Sequence, residues 1–562
     1  MAKVLIIGLD GATFDLMTPW VQAGKLPNLA KLLRKGISGK LRSTNPPMSP
    51  PAWNSFMTGK NPGKHGVFDF TERKPKSYET CFINASWRKA PTICKYVSEA
   101  GKSVAAISIP FTYPPEKLTG IMISGMDAPG VAGLVDRSAT YPPELCDEIR
   151  SKVGEYPMGA NLFAYTDPKE MIEAIDRTME RKAATALYLY KKQEWDCFMF
   201  VLGETDAASH RFWRFCDPSS PVREDVPPDA EVANALFTVY EKADKIIGQF
   251  LEIVPSDTIV IIMSDHGQGG NSDKAVRLNQ WLSSQGILKF KASNGLMSVG
   301  LGLGKQYGLR VLPARIKRLL YRFTNIPNKV ETLVRFSAIN WRKTLAYSEE
   351  TPYFPSIWIN LKGREPGGIV EEGEYDRVCE EIREKLTLWR DPYSGQRIVK
   401  HVYRRGEIYS GPHVEKAPDL IIEWGLDNGY SYLFRPSTGK RKPPVCKVDA
   451  WEKKKVKSGD HREEGIFIAS GPVLKDSSKL KNAEIIDVAP TLLYLMGLPI
   501  PKDMDGKVLT EMFKEEYLMS HPTQYDSNGS GFDANLTEPH RGYSEEEEEA
   551  LKARLKGLGY IE

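Results

Sequence analysis

Five short strings in the chain hold side chains that could do chemistry. DAASH, from Asp206 to His210, sets a carboxylate and an imidazole four residues apart. They share one face of any helix that starts there and could grip a divalent cation, although an Asp at a helix start also serves as an N-cap. SDHGQG, from Ser264 to Gly269, places Asp265 and His266 side by side directly after the apolar run TIVIIM. Both can reach one ion if the backbone turns, for which Gly267 is available; otherwise the string is an Asp-Gly loop. His461 lies in GDHREEGIFIASGP, just ahead of a buried run, and Asp10 closes the run KVLIIGL. Ser49 sits in the proline-rich string NPPMSPPAWNSFMTGKNPGKHG (45–66), ahead of an apolar segment that could start a helix. A helix N-terminus offers backbone N–H groups to an anion, and a metal can make a serine hydroxyl nucleophilic; the alternative is that Ser49 only caps the helix.

Asp and His suit zinc or manganese, and two metal sites about 4 Å apart need roughly six protein ligands. Asp10, Asp206, His210, Asp265, His266 and His461 make that number.

These residues need a frame that brings distant segments together. KVLIIGL (3–9), VAAISI (104–109), CFMFVL (197–202), TIVIIM (258–263), DLIIEW (419–424) and GIFIAS (465–470) are short, β-branched apolar runs. They alternate with helical stretches such as 173–192 and 234–253, the pattern of a mainly parallel sheet covered by helices on both faces. The class is α/β. In open sheets of this kind ligands bind beyond the carboxyl ends of the strands, where Asp10, Asp206 and Asp265 fall.

Over 562 residues, 76 Lys and Arg face 72 Asp and Glu, a net charge of +4, so nucleic acid is not an expected partner. With 41% hydrophobic and 26% charged residues, the composition is that of a globular protein. No apolar run approaches the ~18 residues that cross a bilayer, and the first residues do not form a signal peptide. Seven scattered cysteines without a CxxC pair argue against disulfides and thiolate metal sites, and point to a reducing cytoplasm.

Residues 1–273 and 395–515 are expected to form the catalytic domain, with 274–394 as an inserted basic cap. Segment 287–345 holds twelve Lys and Arg and one acid, Glu331; its stretch VLPARIKRLLYRF (311–323) reads as a cap helix, with peripheral membrane contact a less favoured reading. GLGLGKQ (300–306) is rejected as a phosphate loop, because Val299 and Gln306 stand where glycine and Ser/Thr belong. Residues 516–562 read as a polar linker and a terminal helix, in which Ser544 and Glu547 form a capping box ahead of an apolar stripe of Leu551, Leu555 and Leu558. His65, beside the Ser49 segment, is expected to hold a loop.

In order and spacing, Asp10, Ser49, Asp206/His210, Asp265-His266 and His461 resemble the alkaline phosphatase superfamily, in its type I phosphodiesterase/nucleotide pyrophosphatase branch. The resemblance runs from VLIIGLDG (4–11) to DVAPTLLYLMGLPIPKDMDGKVL (487–509), and is strongest to a prokaryotic group of phosphohydrolases and phosphomutases. It implies an alkaline-phosphatase-like core and two divalent ions, zinc first, with manganese or iron as alternatives. One metal would be held by Asp10, Asp265 and His266 and would also meet Ser49; the other would be held by Asp206, His210 and His461. Ser49 would attack phosphorus and form a phosphoseryl intermediate. Ala52 stands where nucleotide pyrophosphatases carry a phosphate-contacting Asn, with Asn54 as a stand-in, and Trp53 stands where sulfatases carry Arg, which favours phosphorus over sulfur. No arginine lies near Ser49 in sequence to pair with the extra charge of a monoester, which favours diesters, although Arg211, Arg462, Lys60 and Lys64 adjoin the motifs. The expected function is a cytoplasmic two-metal phosphodiesterase acting on a phosphate ester, its oligomeric state open. A phosphomutase with the same ligands, or a membrane-surface binding protein built on 287–345, are the alternatives.

Overall fold

A computed structural model describes residues 2–130, 133–160, 162, 165–223, 228–291, 336–350, 353–437, 442–526 and 542–558. The segment GLGLGKQ, the stretch 311–323 and most of the basic segment 287–345 lie outside the described residues.

Five of the six apolar runs enter one ten-stranded sheet. From one edge its order is Ser478–Lys479, Ile37–Arg42, Glu464–Ser470, Ile259–Met263, Val4–Leu9, Cys197–Leu202, Val104–Ile109, Gly120–Ser124 and Thr140–Tyr141, with Ala483–Glu484 also paired to Ile37–Arg42. The strands around Val4–Leu9 are parallel, while Glu464–Ser470 runs antiparallel to both of its neighbours. The sixth run departs from expectation. Leu420–Trp424 pairs antiparallel with Val399–Arg404 in a separate two-stranded sheet. Its composition marks it as buried but does not say in which layer, because a short apolar run fits any covered strand.

Alternate residues of the central strands feed two apolar cores. Leu5, Ile7 and Leu9 pack with the helices Pro168–Lys192 and Ala235–Leu251 on one face. Val4 and Ile6 pack with Ser49–Thr58, Ile93–Glu99 and Val488–Leu495 on the other. Each fully buried Leu, Ile or Phe here contributes roughly 1.5–3 kcal/mol against leaving it in water, so the sheet is a rigid base. A third core, from Val276 to Val445, joins Gly267–Val276, Tyr430–Phe434 and Val445–Lys447 in a five-stranded sheet. Gly459–Arg462 pairs antiparallel with the start of Gly267–Val276, and that pairing sets His461 opposite Gln268. Among the described residues no helix is long and apolar enough to cross a membrane.

The terminal helix Glu545–Leu558 docks on this same chain. The Ser544 N–H donates to Glu547 Oε2 (2.8 Å) and the Glu547 N–H to Ser544 Oγ (3.2 Å), the reciprocal pair of a capping box. Leu551 and Leu555 enter the first core, the Tyr543 hydroxyl donates to Asp127 O (2.8 Å), and Arg554 donates to Met126 O (3.1 Å). Leu551→Ala should therefore lower the unfolding free energy by about 2–5 kcal/mol, the usual cost of emptying a fully buried leucine site. Urea unfolding checks this, and an unchanged midpoint would mean that the helix adds nothing to the core.

Candidate active site

The site stands over the carboxyl edge of the central sheet. Leu9 pairs with Leu202 and Gly8 with Met263, so the three central strands end level and Asp10, Asp206 and Asp265 follow their ends closely. The two faces of the sheet each contribute a helix. Ser49 is the first residue of Ser49–Thr58, with Met48 as N-cap, so the serine caps nothing. Asp206 and His210 lie in the first turns of Glu204–Cys216, whose N-cap is Gly203. The antiparallel strand Gly459–Arg462 adds His461.

Two glycines make the convergence sterically feasible. Gly11 has φ +64°, and a Cβ there would lie 3.0 Å from both Asp206 Oδ1 and Gln268 Cγ. Gly267 was expected to permit a turn, but it lies in a strand with no positive φ. Its missing Cβ instead makes room for the Glu464 carbonyl, which a side chain would meet at 2.1 Å.

Backbone carbonyls orient the three imidazoles. His210 Nδ1 is 2.7 Å from Gly459 O, His266 Nδ1 is 3.0 Å from Gly267 O, and His461 Nδ1 is 3.0 Å from Pro47 O. A carbonyl only accepts, so each Nδ1 carries the proton and each Nε2 presents a lone pair. Those lone pairs converge. His210 Nε2 and His461 Nε2 are 3.2 Å apart, and Asp206 Oδ1 lies 3.2 and 3.5 Å from them. His266 Nε2 lies 3.6 Å from Asp10 Oδ1 and 3.4 Å from Asp265 Oδ2, and 3.3 Å from Ser49 Oγ. The side chains are buried, and neither Asp10 Oδ1 nor Asp265 Oδ2 has a hydrogen-bond partner. Two groupings have ligand atoms all within 4.8 Å of one another: Asp10, Asp265 and His266, and Asp206, His266 and His461. His266 thus stands between the two halves.

Burial, then the charges of Asp265 and Asp206, hold Asp10 well above the usual carboxylate range, and burial with Asp206 pushes Asp265 up to about 7. Burial and the neighbouring His266 push His461 down to about 3, so its imidazole is neutral. Clustered carboxylates and facing lone pairs repel one another until positive charge enters, and carboxylate with imidazole is a donor set that suits divalent transition metals. The residues fit a divalent metal ion of this kind.

The structure also supplies neighbours that the sequence motifs did not single out. Trp53 Nε1 donates to Asp10 Oδ2 (3.2 Å), and Thr205 Oγ1 donates to Asp10 O (2.6 Å). Gln268 Nε2 donates to Asp206 Oδ1, while Gln268 Oε1 has no partner. The Tyr353 hydroxyl lies 3.2 Å from His210 Nε2. Gln268 was findable, since it alternates with His266 along one strand; Tyr353, far off in sequence, was not. Asn54, expected as a phosphate contact, is engaged at both ends. Its Nδ2 donates to Pro50 O (2.8 Å) and its Oδ1 accepts from Arg88 Nη1 (3.1 Å). His65 holds its loop through Ser55 Oγ (3.0 Å) and the Val67 N–H (3.2 Å).

A cleft of about 1310 Å³ reaches the cluster past Pro47, Gln268 and His461, with Trp213, Phe354 and Tyr430 in its walls. Cations at its rim are paired: Lys40 with Glu464, Arg42 with Glu484 and Lys400 with Glu423. Arg462 donates to Gly270 O (3.0 Å) and Gly429 O (3.1 Å), Lys60 pairs with Asp503, and Lys64 with Asp505.

The family model described as type I phosphodiesterase / nucleotide pyrophosphatase matches residues 4–461. Among solved structures, the chain is similar to murine ectonucleotide pyrophosphatase / phosphodiesterase 5 in complex with AMP, at 13% identity over 89% of this chain and 96% of that one, with TM-score 0.45. It is also similar to phosphonoacetate hydrolase from Sinorhizobium meliloti 1021 in complex with phosphonoacetate, at 13% identity over 88% of this chain and 95% of that one, with TM-score 0.48. No curated protein matches.

Because Asp10 and Asp265 are held toward their protonated forms and a metal needs them ionised, metal binding should release protons at pH 6, and affinity should rise with pH through about 7. Calorimetry in two buffers of different ionisation enthalpy measures the release. Equal heats in both buffers would show that these carboxyls are already ionised.

Proposed function

We propose a reaction for this chain from the premise that it belongs to the type I phosphodiesterase / nucleotide pyrophosphatase family: it is a phosphoric ester hydrolase, and its substrate is a phosphodiester attacked by Ser49. The observation that carries this reading is a buried hydroxyl, Ser49 Oγ, 3.3 Å from His266 Nε2, the imidazole shared by the Asp10/Asp265 and Asp206/His461 groupings. Asp10, Asp265 and His266, with Ser49, would hold one divalent ion, and Asp206, His210 and His461 the other. Zinc is the first expectation and manganese or iron the alternatives. Bound there, the ions would supply positive charge for the phosphoryl oxygens and for the oxygens that enter and leave.

The rest falls to the chain's own groups. Helix packing fixes Ser49 Oγ, which adds to phosphorus as the bond to the departing alcohol breaks. The electron pair of that bond and the serine proton end on the alcohol. Water then adds to phosphorus from the side that the alcohol left, the bond from phosphorus to Oγ breaks, and its electron pair and one proton of the water end on Oγ. Trp53, Thr205 and Gln268 hold Asp10 and Asp206 in place during both halves. A diester is favoured over a monoester because Lys60, Lys64 and Arg462 are committed to other partners. Of the cap expected over 274–394, Phe354 lines the cleft. The seven cysteines, none disulfide-bonded, support a reducing cytoplasm.

Hydrolysis of bis-p-nitrophenyl phosphate should stop on chelation and return with zinc or manganese. Ser49→Ala should keep its metals and lose about 10³-fold or more of the activity, as nucleophile removal does, and Ser49→Thr should retain part of it. Acid quenching during turnover should leave phosphorus on the Ser49 peptide. A chelator-treated protein with full activity would end the metal reading, and an active Ser49→Ala variant would end the covalent one. A rearranged phosphosugar without free phosphate would replace hydrolysis by a mutase reaction.

A further inference from the structure

A phosphoryl group entering the cluster brings oxygens that accept hydrogen bonds, and the helix carrying Ser49 has few donors left for them. Pro50 and Pro51 have no N–H, the Met48 N–H is bonded to Pro46 O and the Ala52 N–H to Met48 O, each at 3.0 Å. Of the donors that normally crowd a helix start, the Ser49 N–H remains.

A hydroxyl from a segment distant in sequence also reaches the cluster. The Tyr353 hydroxyl is 3.2 Å from His210 Nε2, and because His210 Nδ1 donates to Gly459 O, the phenol is the donor of the pair. The ring packs on His461 with centroids 4.7 Å apart, Lys457 Nζ lies 3.4 Å over it, and the residue is 2% exposed. The next residue carries a second observation. Phe354 has φ +42°, a left-handed conformation that a bulky side chain adopts only where its surroundings enforce it. Phe354 lines the cleft while Tyr353 meets the imidazoles.

Resting on the phosphodiesterase reading of this site, we propose that the Tyr353 hydroxyl donates a hydrogen bond to an oxygen of the bound phosphoryl group, making Tyr353 a catalytic residue. A cation on His210 Nε2 would take the lone pair that the phenol now meets, and the O–H would turn to the phosphoryl oxygen beside it.

Tyr353→Phe removes one oxygen and keeps the ring against His461 and Lys457. Metal-loaded wild type and variant would be compared by metal analysis, thermal melting, calorimetry with inorganic phosphate and turnover of bis-p-nitrophenyl phosphate. The variant should melt as the wild type does and carry as much metal. It should bind phosphate about 10-fold more weakly or worse, and its kcat/KM should fall roughly 10- to 100-fold, as expected for a lost hydrogen bond to a charged oxygen. Equal phosphate affinity in the two proteins would overturn the proposal. Metal loss from the variant would also overturn it, since Tyr353 would then only position His210. A wild-type protein that bound neither metal nor phosphate would overturn the two-metal reading together with it.

Discussion

The carbonyls of Gly267, Gly459 and Pro47 each take the Nδ1 proton of one histidine, and with it the freedom of that imidazole to satisfy itself. Three Nε2 lone pairs are left facing one another and three carboxyl groups, buried where the cleft ends. In bulk solvent such groups would separate; here the sheet edge, two helices and an antiparallel strand hold them together, and Asp10 and Asp265 are pushed toward their protonated forms. The surrounding fold stores a repulsion that only positive charge relieves, and a phosphoryl group is the substrate whose own charge such a positive centre would meet.

The frame that maintains this repulsion is redundant in a useful way. Ser49 comes from a helix on one face of the sheet, and Asp206 with His210 from a helix on the other, while Asp10 and Asp265 end strands between them. Neither face can shift without moving the site, and both are filled with large aliphatic and aromatic side chains. The cleft is built differently: one wall belongs to the sheet edge and the other to the third core, so its walls do not rest on the same packing as the buried cluster.

Much of this was legible in the sequence, for an identifiable reason. A buried strand is an apolar run that stops, and Asp10 and Asp265 are the first charged residues after such runs; Asp206 and His210 share a face because four residues make about one helical turn. What resisted reading was set by contacts between distant segments. Gly267 has the composition of a turn but works as a gap for the Glu464 carbonyl. Leu420–Trp424 has the pattern of a central strand, yet Val399–Arg404 claims it. The helix start at Ser49 has the position of an anion site, but Pro50 and Pro51 bring no N–H groups to it. Asn54 had the right side chain and was taken by Pro50 and Arg88.

The position of Val4–Leu9 at the middle of the sheet has a bearing on how the protein is made. Both of its neighbours, Cys197–Leu202 and Ile259–Met263, lie far downstream. At about 5–20 residues per second of synthesis, the first strand emerges on the order of ten seconds before either partner exists. For that interval a β-branched apolar ribbon with two bare edges leaves the ribosome alone, and Leu551 and Leu555 of the first core come last of all. The strand order therefore leaves this apolar segment unpaired through much of synthesis, the condition in which strand edges are prone to aggregate.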